Sequence, residues 1–194
     1  MAVRATVSNL TAPTLLETAT HVLVADPAAS LGDVARAAGI SRTTLHKIYP
    51  TRPALLRALA SDALELLTCA YSQAGLDVAG VDAPAALTRL AAELIPLGPR
   101  LMFLYRERSL DGEPELLARI NALDEPIRSL EQRARADGTF RADLPDGWVR
   151  ATFEALVYAA WEQIAAGLIA PLAAPEFVMS TLLNGVSAPS EPSR

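Results

Sequence analysis

SLGDVARAAGISRTTLHKIYPTR, residues 30–52, is the stretch whose reading decides the fold. Ser30 followed three residues later by Asp33 is a capping-box pattern, which starts a helix at Leu31. Leu31, Val34, Ala35 and Ala38 supply its apolar stripe, and the two alanines are small enough for close helix approach. Gly39 stands where a left-handed residue closes a helix, because glycine carries no Cβ penalty there. After the turn at Gly39-Ile40-Ser41, Ser41 is a natural N-cap for a second helix with Arg42 in its first turn. Leu45, Ile48 and Tyr49, spaced i, i+3, i+4, are expected to form the buried stripe of that helix. At about 100° per residue, Thr43, His46 and Lys47 fall on the opposite side. Pro50 stops the helix, and Thr51 with Pro53 opens the next.

A helix of about eight to ten residues with a small, hydrogen-bonding, cationic outer face suits the major groove of double-stranded DNA. Arg42 and Thr43 lie near its N-terminus, the end that usually meets base edges. Arg42 can pair with guanine or clamp a phosphate, and Thr43 offers a hydroxyl together with a methyl for thymine. Thr44 lies closer to the apolar boundary and is the weaker member of the set. His46, Lys47 and Arg52 are assigned to holding the phosphate backbone.

These residues resemble the DNA-binding domain of the TetR family of bacterial transcriptional regulators. LLETATHVLVADP (residues 15–27) resembles the first helix of that domain, and VARAAGISRTTLHKIYPTRPALLRAL (residues 34–59) resembles the second to fourth. The likeness covers roughly residues 10–60 with no insertion or deletion. Three positions depart from the family's usual choice. His46 stands where a tyrosine hydroxyl contacts phosphate, and imidazole donates there with a strength that depends on pH near neutrality. Arg52 replaces a lysine and keeps the cation, while Tyr49 replaces a phenylalanine and keeps the aromatic ring.

Composition agrees with an all-α chain. Of 194 residues, 51% are hydrophobic, dominated by alanine and leucine, which favours helix over strand. Cys69, the single cysteine, cannot form an internal disulfide and fits a reducing cytoplasm, its simplest role being a small helical hydrophobe. The longest apolar stretch, Ala155 to Ala170, is interrupted by Glu162 and Gln163 and is too short to span a bilayer. Polar and acidic residues break any signal-like run before Val22, so a cytoplasmic protein without membrane association is expected. Net charge is −5. It divides unevenly: residues 1–57 hold six cations against three carboxylates (+3), and the remainder holds eleven against nineteen (−8). Phosphate attracts the first part and repels the second.

The expected organisation is a three-helix helix-turn-helix domain over residues 1–52, a helical effector-binding and dimerisation domain over 53–186, and a disordered tail over 187–194, with about nine helices in all. After a long helix from Pro53 to about Ala74, breaks at Gly75–Asp82, Pro96–Pro99, Asp111–Pro114, Gly138–Pro145 and Pro171–Pro175 separate the later ones. Helical spacing places Phe153, Leu156, Val157, Ala160 and Ile164, with Trp161 adjoining, on one face, and Phe177, Val178, Thr181 and Leu182 on another. The resemblance implies that such faces pair as the last two helices of each subunit of a homodimer, so that two reading helices reach successive major grooves about 34–36 Å apart. It also implies a small-molecule effector held among the central helices, for which Thr68, Tyr71, Met102, Phe103, Tyr105, Arg106 and Tyr158 are the candidates. Met102 and Arg106, at i and i+4, can share a face, one apolar and one able to pair an anion.

Other classes find little support. Both histidines lie in the DNA-binding segment, and no glycine-rich phosphate loop, HExxH or cysteine-pair metal pattern occurs. No catalytic residue, cofactor or metal is expected. An architectural or activating DNA binder without an effector shares the same DNA-facing residues and stays open at this level.

Overall fold

The computed structural model describes residues 14–186, so the expectation for the tail at 187–194 lies outside the described residues. Nine α-helices occur among the described residues: α1 (Leu15–Ala25), α2 (Leu31–Ala37), α3 (Arg42–Ile48), α4 (Arg52–Ala74), α5 (Ala83–Leu94), α6 (Gly98–Arg106), α7 (Pro114–Ala136), α8 (Trp148–Ala165) and α9 (Ala174–Val186). Short 3₁₀ turns precede α6, α7 and α9. No helix of the described residues is long and apolar enough to cross a membrane.

The chain forms two compact units that divide between Asp62 and Ala63, inside α4. That division lies beyond the 52/53 boundary expected from turn signals. The first turns of α4 carry Leu55, Leu56, Leu59 and Ala60, all buried yet outside the core cluster of the second unit.

In the first unit, local chemistry sets the helix ends. Thr14 caps α1 by accepting from the Glu17 amide at 3.1 Å. At α2 the capping box is complete: the Ser30 hydroxyl accepts from the Asp33 amide at 3.2 Å, and the Ser30 amide donates to Asp33 at 2.9 Å. Gly39 adopts φ 67°, and the amides of Gly39 and Ile40 donate back to Arg36 and Ala35, closing α2 in a Schellman turn. Ser41 caps α3 through the Thr44 amide at 3.0 Å. Ala19, Leu23, Val34, Ala35 and Leu45 form the small interior of this unit.

One expectation fails here. Ile48 is 51% exposed and Tyr49 only half-buried, so Leu45 alone anchors α3. Three residues past Leu45 the helix has turned about 300°, which carries Ile48 off a narrow buried face. The helix ends at that residue, and Tyr49 is already extended.

The second unit is built around α8. Phe153 and Val157 are buried among Leu87, Leu90 and Leu94 of α5, Ile127 and Leu130 of α7, and Val178 and Leu182 of α9. Helix α8 runs along α9, which also packs on α5. This arrangement corrects part of the expected dimer face. Phe153, Val157, Ala160, Val178 and Leu182 are buried inside the subunit and cannot meet a partner. Burying one leucine, valine or phenylalanine is worth roughly 1.5–3 kcal/mol, so the most apolar stripe of each helix goes to the subunit's own core. Leu156, Trp161 and Ile164 are half-buried, and only Phe177 and Thr181 of that set are exposed.

Candidate nucleic-acid interface and ligand cavity

On α3 the residues outside the buried Leu45 separate by what already holds them. Arg42, Thr43, His46 and Lys47 are exposed. Thr44 is exposed too, but its hydroxyl lies 2.8 Å from that of Ser41 and its amide donates to the same oxygen, so it is committed to the helix cap. Arg52 is half-buried and turns inward: its guanidinium donates to the carbonyls of Pro27 and Ala29, tying α4 to the loop between α1 and α2. In this geometry Arg52 fixes the loop, and phosphate contact would require it to give up those acceptors. Arg36 is paired with Asp33 at 2.9 Å. Arg42 and Lys47 thus present their charges outward beside the hydroxyl of Thr43.

The second unit encloses a cavity of about 310 Å³. Helices α4, α6, α7 and α8 build it, with the end of α5 closing one side. Of the seven expected ligand residues, Tyr71, Met102, Tyr105 and Tyr158 line it. The other three do not. Thr68 is exposed and spends its hydroxyl on the Leu64 carbonyl at 2.7 Å. Phe103 is buried away from the cavity. Arg106 bonds Glu162 at 3.1 Å, with the Tyr158 hydroxyl at 3.4 Å.

Sequence reasoning missed the charged part of the wall. Arg150 meets Asp124 at 3.4 Å and both oxygens of Glu154 at 3.2 and 3.3 Å. Two carboxyl groups therefore share one guanidinium, so the cavity holds more acidic than basic side chains. Burial pushes the Glu154 carboxyl above its ordinary range, with Arg150 opposing and Asp124 reinforcing that rise. Burial likewise pushes the Tyr105 phenol up to about 12 and Tyr71 upward further, so both remain neutral donors. The rings of Tyr105 and Tyr158 meet edge to face, centroids 5.8 Å apart at 85°. A signal for the missing residues does exist in the sequence: Arg150, Glu154, Val157, Tyr158 and Trp161 lie on successive turns of α8, a charged pair continuing an apolar and aromatic stripe.

Trp161, expected at a dimer face, also lines this cavity. Its indole rests directly on Gly98 at the start of α6. A Cβ on that glycine would lie 1.3 Å from both Cδ1 and Nε1 of the ring, so no other residue fits without displacing Trp161.

No family model matches the chain. It is 40% identical over 154 residues to the helix-turn-helix transcriptional repressor LfrR of Mycolicibacterium smegmatis, an alignment covering 79% of each chain. It is 28% identical over 179 residues to the helix-turn-helix transcriptional regulator NfxB of Pseudomonas aeruginosa, covering 91% of this chain and 94% of that one. The crystal structure of LfrR from Mycobacterium smegmatis in complex with proflavine superposes with a TM-score of 0.73 at 37% identity, covering 88% of this chain and 93% of LfrR.

The contact between Gly98 and Trp161 can be measured by a double-mutant cycle. Gly98→Ala should cost about 1–3 kcal/mol of unfolding free energy in the native background and much less when combined with Trp161→Ala. Equal costs in both backgrounds would show that the two residues are not coupled.

Proposed function

The chain belongs to the TetR family of transcriptional regulators, and on that premise we propose that it is a homodimeric repressor released from an inverted-repeat operator by a planar aromatic cation. The DNA-reading part of the proposal rests on α3. Thr43 and Arg42 contact base edges, while Lys47 and His46 position the helix on phosphate. Repression follows the 40% identical relative, which is a repressor.

A single observation carries the effector class: an aromatic cavity holding Asp124 and Glu154 against Arg150 alone. A flat cation gains twice there, from ring faces and edges and from the excess carboxylate. A neutral ligand of the same shape gains only the first. Proflavine, the ligand of the LfrR complex, is a tricyclic aromatic cation of this type. The cavity volume is at the lower end of small-molecule sites, which favours a compact ligand. Such a ligand regulates only if it prefers the conformation that binds DNA poorly, and its affinity must then fall when operator is present.

Pairing is assigned to the face that α8 and α9 leave uncovered. Ala151, Ala155 and Ala159 recur every four residues on α8 and are exposed, small enough for close approach by a second copy. Phe177, 55% exposed, and Thr181 extend that surface on α9. These positions replace the buried residues that helical spacing alone points to.

Three measurements test the reading. Lys47→Ala should weaken binding to every DNA sequence alike and shallow the salt slope by about one unit, whereas Thr43→Ala should alter base preference in a binding selection. Uniform losses for both would remove the division of roles. Ala159→Arg should run as a monomer in light scattering and lose operator binding; a persistent dimer would place the interface elsewhere. Proflavine should quench on binding and release operator DNA, and Glu154→Gln should weaken that binding by about tenfold. An unchanged affinity in Glu154→Gln would reject the carboxylate as the source of cation preference.

A further inference from the structure

A second compartment adjoins the aromatic cavity across the Asp124–Arg150 ion pair, which lines both. It is a polar cleft of about 560 Å³ between one face of α7 and the start of α8. Six charged groups face it: Asp124, Arg128, Glu131, Arg135, Asp146 and Arg150. Five of them have partners at close range. Arg150 holds Asp124, Arg128 meets Glu125 at 3.3 Å, and Arg135 takes Asp146 at 2.5 Å while donating to the carbonyls of Ala142 and Leu144.

Glu131 is different. It is 2% exposed, and neither carboxylate oxygen accepts a hydrogen bond. The Arg135 guanidinium stands 3.9 Å away, beyond hydrogen-bond reach and already occupied by three other acceptors. A buried carboxylate without donors is costly to keep in a fold, and because Glu131 borders the cleft, a turn of its side chain toward an N–H placed there would relieve that cost. Its charge selects the partner. An anion would meet a carboxylate whose one cationic neighbour, Arg135, is shared with three other acceptors, whereas an ammonium supplies the donor that Glu131 lacks.

We infer that Glu131 receives a second cationic group of the effector, an ammonium on a flexible tail that leaves the aromatic cavity beside Asp124. The inference rests on the reading of the aromatic cavity as the effector site, and it narrows the ligand class to planar aromatic cations bearing an amine side chain. Asp124 and Glu131 lie seven residues apart on α7, two turns along the same face, which spans about 10 Å. A short alkylamine chain is of that order of length. The Asp124–Arg150 pair is then the threshold between the two compartments.

The test uses the full chain, quinacrine (an acridine whose side chain ends in a tertiary amine) and the same acridine ring without that side chain. Wild-type protein should bind quinacrine about tenfold more tightly than the tail-less ring. Glu131→Gln should abolish that advantage while leaving the tail-less ring within about twofold of its wild-type affinity, which also reports an intact fold. Equal affinities of the two ligands for the wild type overturn the inference without any variant. So does a Glu131→Gln protein that keeps the advantage, or that weakens both ligands alike. If the wild type binds neither ring compound, the effector reading itself falls and takes this inference with it.

Discussion

Helix α8 has three neighbours to satisfy with one periodicity, and the second unit depends on how it does so. At 3.6 residues per turn, one stripe can be fully apolar, and Phe153 and Val157 commit it to the core formed with α5, α7 and α9. The flank that results carries Arg150, Glu154, Tyr158 and Trp161 into the cavity. The face turned away from that core carries the exposed Ala151, Ala155 and Ala159. Core, ligand wall and open face are therefore coupled. A shift of α8 that accommodates a ligand against Glu154 must also move the alanine face, because both belong to one rigid helix.

The DNA-facing unit works by commitment of a different kind. Two of its cations are held by the fold itself. Arg36 answers Asp33, and Arg52 holds the loop carbonyls of Pro27 and Ala29, leaving Arg42 and Lys47 directed outward. The Ser41 and Thr44 hydroxyls satisfy each other at the head of α3. A seven-residue helix anchored by Leu45 alone has little packing to orient it. Its direction is set instead by the Schellman turn before it and the Arg52 tie behind it.

How much could be read from the sequence follows from the range of the interactions involved. The caps at Ser30 and Ser41 and the left-handed turn at Gly39 are decided by neighbours within six residues, and each was legible. Helix boundaries were legible for the same reason, since glycine and proline act locally. The cavity was legible only in part, through Tyr71, Met102, Tyr105 and Tyr158. Asp124 and Glu154 come from different helices, and their shared guanidinium is evident only once α7 lies beside α8. Phe153, Val157, Ala160, Val178 and Leu182 of the expected dimer face go to the subunit's own core, because periodicity identifies an apolar stripe without saying what covers it. Ile48 was misread because a stripe drawn on an ideal helix ignores where the helix ends.

The indole that lies on Gly98 has one more consequence. The chain contains two tryptophans, Trp148 and Trp161. Trp148 is 52% exposed and takes no part in the cavity wall, whereas Trp161 forms it. Their emission must differ in colour and in access to aqueous quenchers, the first reporting water and the second the cavity. The protein therefore carries its own optical gauge of occupancy, with an internal reference thirteen residues away on the same helix, about 20 Å at 1.5 Å per residue.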